Sequence, residues 1–138
     1  MEEGSCLSAA QPAAKQQVLI VEDDPITRTV FSHVITGHGC TVHIAGSARE
    51  ATEQLRLRTY DLILVDANLP DSHGVEIVRA VRRHGSAPRT PIVAVSSDDG
   101  RDNVRLLLES GVDEFVVKPV TAQTLGDLLG RWLGTSRG

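Results

Sequence analysis

Five short apolar runs punctuate the chain, and the stretches between them carry the three-to-four-residue spacing of amphipathic helices. The first run, Gln17-Val18-Leu19-Ile20-Val21, ends in three acids, Glu22-Asp23-Asp24. Pro25 then fits the first turn of a helix with Asp24 as its cap. Ile26, Val30 and Val34, with Phe31 and Ile35, predict the apolar face of that helix, and Gly39 predicts its end. Thr41–Ala45 reads as a second, short strand. Ser47-Ala48-Arg49-Glu50 is a capping box opening a helix with Ala48, Ala51 and Leu55 inward. The third run, Asp61–Val65, stops at a single acid, Asp66. The residues after it (Asn68, Pro70, Asp71, Ser72, Gly74) are turn chemistry.

The second half repeats the alternation. Val75–His84 is expected to be a helix using Val75, Val78 and Val81, with Gly85 beyond its end. Pro91–Val95 is a fourth strand and leads into Ser96-Ser97. A helix over roughly 99–110 turns Val104, Leu107 and Leu108 inward and stops at Gly111. Glu114–Val117 is a fifth strand ending at Lys118-Pro119. Thr121 caps a last helix whose inward face is Leu125, Leu128, Leu129, Trp132 and Leu133. Near-continuous apolar runs mark strands covered on both faces. Five of them alternating with five helices predict a doubly wound α/β sandwich on a parallel sheet. Right-handed crossovers carry every strand's C-terminal end to one edge, where open α/β sheets keep their ligands. Glu22, Asp23, Asp66, Ser96 and Lys118 are therefore expected on one rim.

Composition narrows the class. The 138 residues suit one domain, read as 17–133 between a mobile tail at 1–16 and a short tail at 134–138. Apolar content of 41% and charged content of 23% are ordinary for a globular chain. A net charge of −4, without a basic run or aromatic ladder, argues against direct nucleic-acid binding. No apolar run approaches a membrane span, and the acidic start lacks the apolar segment of a signal peptide. Cys6 and Cys40 have neither metal nor redox spacing, which points to a reducing cytoplasm.

On the rim, three crowded carboxylates repel one another unless a cation joins them, and oxygen ligands select a hard ion such as Mg²⁺. Lys118 shares the chain only with Lys15 among lysines, and offers a compact ammonium suited to a phosphoryl oxygen. Ser96 offers a hydroxyl to a second such oxygen. Taken alone, Asp66 reads as a strand-end turn former; the company on the rim overturns that. None of His33, His38, His43, His73 and His84 falls at a strand end, so no strong general base is in view, although His73 lies in the loop after Asp66. The set suits phosphoryl transfer from an activated donor onto Asp66, followed by slow hydrolysis.

Four segments carry a resemblance. VLIVEDDP, DLILVDANLP with Gly74, PIVAVSS and FVVKP resemble, in order and at family-like spacing, the motifs of the receiver domain of two-component response regulators over about residues 17–133. The resemblance implies a flavodoxin-like (βα)5 fold with strand order 2-1-3-4-5. It implies Asp66 as phosphoacceptor and Asp23 as a direct ligand of Mg²⁺, with Glu22 acting through water and Asn68 through its backbone carbonyl. Ser96 binds the phosphoryl group and moves with it, Lys118 ion-pairs to it, Pro119 follows a cis peptide, and Phe115 is the switch aromatic. Glu22 stands where aspartate is commoner, Ser96 where threonine is, and Phe115 lacks a tyrosine hydroxyl. The implied partners are a histidine kinase or histidine phosphotransfer domain as donor, and a downstream protein on the face formed by residues 99–133. No output domain fits past Leu133, so a stand-alone receiver or one excised from a hybrid kinase is expected.

Three rival readings compete with this one. A haloacid-dehalogenase-like phosphatase needs a second acid where Asn68 stands, and room for a cap. A flavodoxin-like FMN carrier needs a Ser/Thr/Gly-rich loop where this chain has acids that repel phosphate. A phosphate shuttle or sink uses the same residues as a switch.

Overall fold

The computed structural model describes residues 15–69, 74–84, 90–97 and 100–133. In chain order these form β1 (Gln17–Val21), α1 (Pro25–Gly37), β2 (Thr41–Ala45), α2 (Ala48–Leu57), β3 (Leu62–Asp66), α3 (Gly74–His84), β4 (Ile92–Ser96), α4 (Arg101–Ser110), β5 (Glu114–Val117) and α5 (Ala122–Leu133). All strand pairs are parallel, in the order β2-β1-β3-β4-β5. The doubly wound sheet and the strand order expected from the alternation are both present. The expected tails, Gly85 and the start of α4 at Asp99 lie outside the described residues or reach beyond them.

Each strand serves two cores, because successive side chains point to opposite faces. Leu19, Val21, Ile63, Val65 and Ala94 pack with Ala51 of α2, Val78 of α3 and Leu107 of α4. Val18, Ile20, Leu62, Leu64, Val93 and Val95 pack on the other side with Phe31 and Ile35 of α1 and Leu125, Leu128 and Leu129 of α5. Each fully buried Leu or Ile here stabilises the fold by about 1.5–3 kcal/mol relative to exposure. The central strands β3 and β4 are buried along their whole length, which is why they read as unbroken apolar runs.

The helix ends are set by the chemistry the spacing predicted. Asp24 is extended and its Oδ2 accepts from the Thr27 backbone N–H at 2.8 Å, with Pro25 opening α1. Ser47 Oγ accepts from the Glu50 N–H, but the Glu50 carboxylate reaches back to Gly46 N–H at 2.8 Å, one residue earlier than a capping box predicts. Gly39 and Gly111 take positive φ of 86° and 117° just past α1 and α4, a region in which a side chain is strained.

Two apolar faces are narrower than their periodicity suggested. Ile26 is 73% exposed and Val30 is also exposed, while Phe31 and Ile35 are buried and Val34 half-buried. The first turns of α1 stand beside the C-terminal end of the sheet, where no strand remains to cover them. In α4, Leu106 and Leu108 are exposed and only Leu107 is buried among the three. Consecutive helical residues point about 100° apart, so a run of three leucines cannot share one face. Trp132 and Leu133 are half-buried, and the Trp132 indole N–H donates to Glu114 on β5 at 2.6 Å. No helix among the described residues is long and apolar enough to cross a membrane.

Candidate functional site

The ends of β1, β3, β4 and β5 meet at one rim. Glu22 follows β1 directly, and its backbone N–H bonds Ala45 of β2 at 2.9 Å, which carries the ladder one residue past the strand. Asp66 closes β3 opposite Val95, and Ser96 closes β4 opposite Val117. Lys118 follows β5, with its backbone N–H donating to the Ser96 carbonyl at 2.9 Å. The Lys118–Pro119 peptide is cis.

Side chains converge where the backbone directs them. Glu22, Asp23 and Asp66 each present a carboxylate oxygen such that all lie within 4.8 Å of one another. The Lys118 ammonium lies 3.1 Å from Glu22 Oε1 and 3.3 Å from Asp66 Oδ2. Asn68 turns its backbone N–H to Asp66 Oδ1 at 3.0 Å, so both oxygens of that carboxylate have donors. The Asp24 backbone N–H holds Glu22 Oε2 at 3.1 Å. Glu22 is 2% exposed, Asp66 7% and Ser96 0%, whereas Asp23 is open to solvent. Phe115 is half-buried and packs on the α3/α4 side of the core. Pro70, Asp71, Ser72 and His73 lie outside the described residues.

The electrostatics show a pocket short of positive charge. Burial, then the neighbouring Asp66 carboxyl, pushes the Glu22 carboxyl up from 4.5 to about 7, against the pull of the Asp24 N–H and of Lys118. At Lys118, burial opposes the charged form, but the hydrogen bond to Glu22 and the charge of Asp66 outweigh it and hold the ammonium above its usual range. The Glu22–Lys118 pair was not legible in the sequence, where the two residues were assigned to different partners. The only signal was a single lysine at the strand ends facing three acids.

Three carboxylate oxygens around one point, one of them on a carboxyl whose pKa is raised by burial and by a neighbouring carboxyl, fit a hard divalent ion. The sign of the pH dependence follows. The folded state binds more protons than the unfolded chain between about pH 4.5 and 7, so the metal-free protein loses stability as pH rises through that window. A bound cation removes the reason for the shift. Millimolar Mg²⁺ is therefore expected to raise the melting temperature at pH 8 clearly more than at pH 5.5. An equal shift at both values would count against Glu22 as the titrating neighbour of the ion.

The model of the response regulator receiver domain family matches residues 18–129. A hybrid signal transduction histidine kinase of Dictyostelium discoideum is 33% identical over 127 residues, 89% of this chain but 6% of that protein. A two-component response regulator of Oryza sativa subsp. japonica is 36% identical over 120 residues, 84% of this chain and 93% of its own. The receiver domain of a sensor histidine kinase from Pseudomonas aeruginosa PAO1, with a magnesium ion coordinated in its active site cleft, superimposes with a TM-score of 0.81. It is 29% identical and covers 88% of this chain and 100% of its own. The chain thus spans nearly the whole length of some relatives and a small part of others.

Proposed function

The chain belongs to the response regulator receiver domain family of two-component systems, and from that membership we propose that Asp66 accepts a phosphoryl group from phosphohistidine on a histidine kinase or histidine phosphotransfer domain. The observation that carries this is the meeting of Glu22, Asp23 and Asp66 within 4.8 Å beside the Lys118 ammonium.

In the transfer, an Asp66 carboxylate oxygen attacks phosphorus, the P–N bond breaks, and its electron pair stays on the departing imidazole. Asn68 N–H holds Oδ1 and Lys118 stands at Oδ2, which limits the rotation of the carboxylate before attack. As charge builds on the equatorial oxygens, Lys118 exchanges a carboxylate contact for a phosphoryl oxygen, and the Ser96 hydroxyl donates to another. Asp23, Asp66 and the Asn68 carbonyl, with Glu22 through water, would hold Mg²⁺, which would supply charge neutralisation. The Lys118–Pro119–Val120 segment and the exposed Ile26 and Val30 border a groove of about 490 Å³ next to Lys118. This groove lies on the donor's side of approach. The cytoplasm is the compartment in which such a donor meets the domain.

Incubation with Mg²⁺ and acetyl phosphate, followed by intact mass, is expected to add one phosphoryl group per chain. Because an acyl phosphate can be short-lived, beryllofluoride binding is measured alongside. No adduct together with no beryllofluoride binding would defeat the reading.

The output surface is assigned to α4, β5 and α5. Leu106, Leu108 and Val117 are exposed there, and Ser96 and Lys118 lead directly into these elements. Amide chemical shifts are expected to change on beryllofluoride addition mainly in α4 and β5 and little in α2; the reverse pattern would move the output elsewhere.

A further inference from the structure

Gly74, the first residue of α3, sits against the peptide that joins Asp66 to Ala67. A Cβ at this position would stand 2.5 Å from the Asp66 carbonyl oxygen, 2.9 Å from Val65 Cγ1 and 3.0 Å from Ala67 Cα. Two of these three neighbours are backbone, so a side chain could be accommodated only by moving β3 or α3. Neither element has slack. The Ala67 N–H donates to Val95 on β4 at 2.9 Å, and the Ala67 carbonyl accepts from the Gly74 N–H at 2.9 Å. Val75 and Val78, just after Gly74, are buried in the core shared with β3.

On the reading that Asp66 is the phosphoacceptor, we propose that Gly74 is a positioning residue for its carboxylate: the missing Cβ lets α3 close on the 66–67 peptide and fixes the direction in which Asp66 projects. The restraints on that peptide lead straight to the site. The Asp66 carboxylate is tied to Asn68 N–H at 3.0 Å and to Lys118 at 3.3 Å, and it shares the three-carboxylate cluster with Glu22 and Asp23. Turning the 66–67 peptide to clear a methyl group tilts the Asp66 side chain against all of these at once. A misplacement of about 1 Å at a reacting group can cost on the order of a hundred-fold in rate. No positive φ is involved at Gly74, so the requirement is one of space and not of backbone conformation.

The experiment compares wild type, Gly74→Ala and Gly111→Ala at a temperature where all are folded. Gly111 has a positive φ and lies at the far end of α4, so its substitution gives a loss of stability unconnected with the rim. Gly74→Ala is expected to weaken Mg²⁺ binding at least five-fold and to slow phosphorylation by acetyl phosphate at least ten-fold. Gly111→Ala is expected to lower the melting temperature with both values unchanged. Should Gly74→Ala not fold, Val65→Ala/Gly74→Ala frees the space beside Val65 Cγ1 while leaving the carbonyl contact, and the same site defects are expected in the folded double variant. Wild-type Mg²⁺ affinity and phosphorylation rate in either variant would overturn the proposal. Failure of both to fold in saturating Mg²⁺ would do so too, by making the contact a requirement of the fold alone. If wild type shows neither a phosphoryl adduct nor beryllofluoride binding, the functional reading fails instead, a result separable from any behaviour of Gly74.

Discussion

Asp66→Asn is expected to abolish phosphoryl uptake and, at the same time, to make the metal-free protein more stable near pH 8. The first effect follows from removing the carboxylate assigned as the nucleophile: an amide oxygen does not form the acyl phosphate. The second follows from Glu22. Its carboxyl is raised to about 7 by burial and then by the Asp66 carboxyl, so at pH 8 the folded protein holds two carboxylates it would otherwise keep apart. Neutralising position 66 leaves Glu22 with Lys118 as a matched pair at 3.1 Å. The gain is expected to shrink on going from pH 8 towards pH 5, as Glu22 takes up its proton. Mg²⁺ affinity should fall more than ten-fold, since one of three clustered oxygens is lost. Intact mass, urea unfolding at the two pH values and a Mg²⁺ titration check the three parts. An adduct persisting in Asp66→Asn would place the acceptor elsewhere; a loss of stability at pH 8 would mean that the Lys118–Asp66 contact outweighs the repulsion.

Most of the fold and the membership of the site were legible because both depend on the ends of elements. Continuous apolar runs mark doubly covered strands, and parallel order with right-handed crossovers fixes which ends meet. Glu22, Asp66, Ser96 and Lys118 could therefore be placed on one edge before any distance was known. Three things depended on quantities the pattern does not carry. The pairing of Lys118 with Glu22 is a matter of side-chain reach across two strands. The exposure of Ile26, Val30 and Leu108 reflects how far the sheet extends beneath each helix, and periodicity is silent on that. The closeness of Gly74 to the Asp66 carbonyl is a backbone approach, and its only trace in the sequence was a glycine where turn residues were expected anyway.

Lys118→Met is expected to have the other large effect, and to separate the two cations of the site. Methionine retains most of the side chain's volume but leaves Glu22, 2% exposed, and Asp66 facing each other without the ammonium. Removing one partner of a buried ion pair costs about 3–5 kcal/mol. The cost is lower here, about 2–3 kcal/mol at pH 8, because Lys118 is itself a quarter exposed and Glu22 can take up a proton. That proton sets the sign with pH. Losing Lys118 removes a contact that lowers the Glu22 pKa, so the variant holds its proton to higher pH than wild type. The deficit should accordingly shrink on going from pH 8 to pH 5.5. The Lys118 pKa is raised in the fold, so the ammonium keeps its charge at both values and its own titration matters only above its ordinary 10.5; the change between pH 8 and pH 5.5 comes from Glu22. Phosphorylation by acetyl phosphate is expected to slow by about a hundred-fold, the scale for losing one preorganised donor to a developing charge. Mg²⁺, by contrast, should bind several-fold more tightly, since the ammonium that competes with it for Asp66 and Glu22 is gone. Tighter metal binding with slower phosphorylation distinguishes a lysine that serves the phosphoryl group from one that merely holds the acids together. Weaker Mg²⁺ binding in Lys118→Met would instead mean that the ammonium organises the metal ligands, and the role assigned to it in transfer would have to be withdrawn.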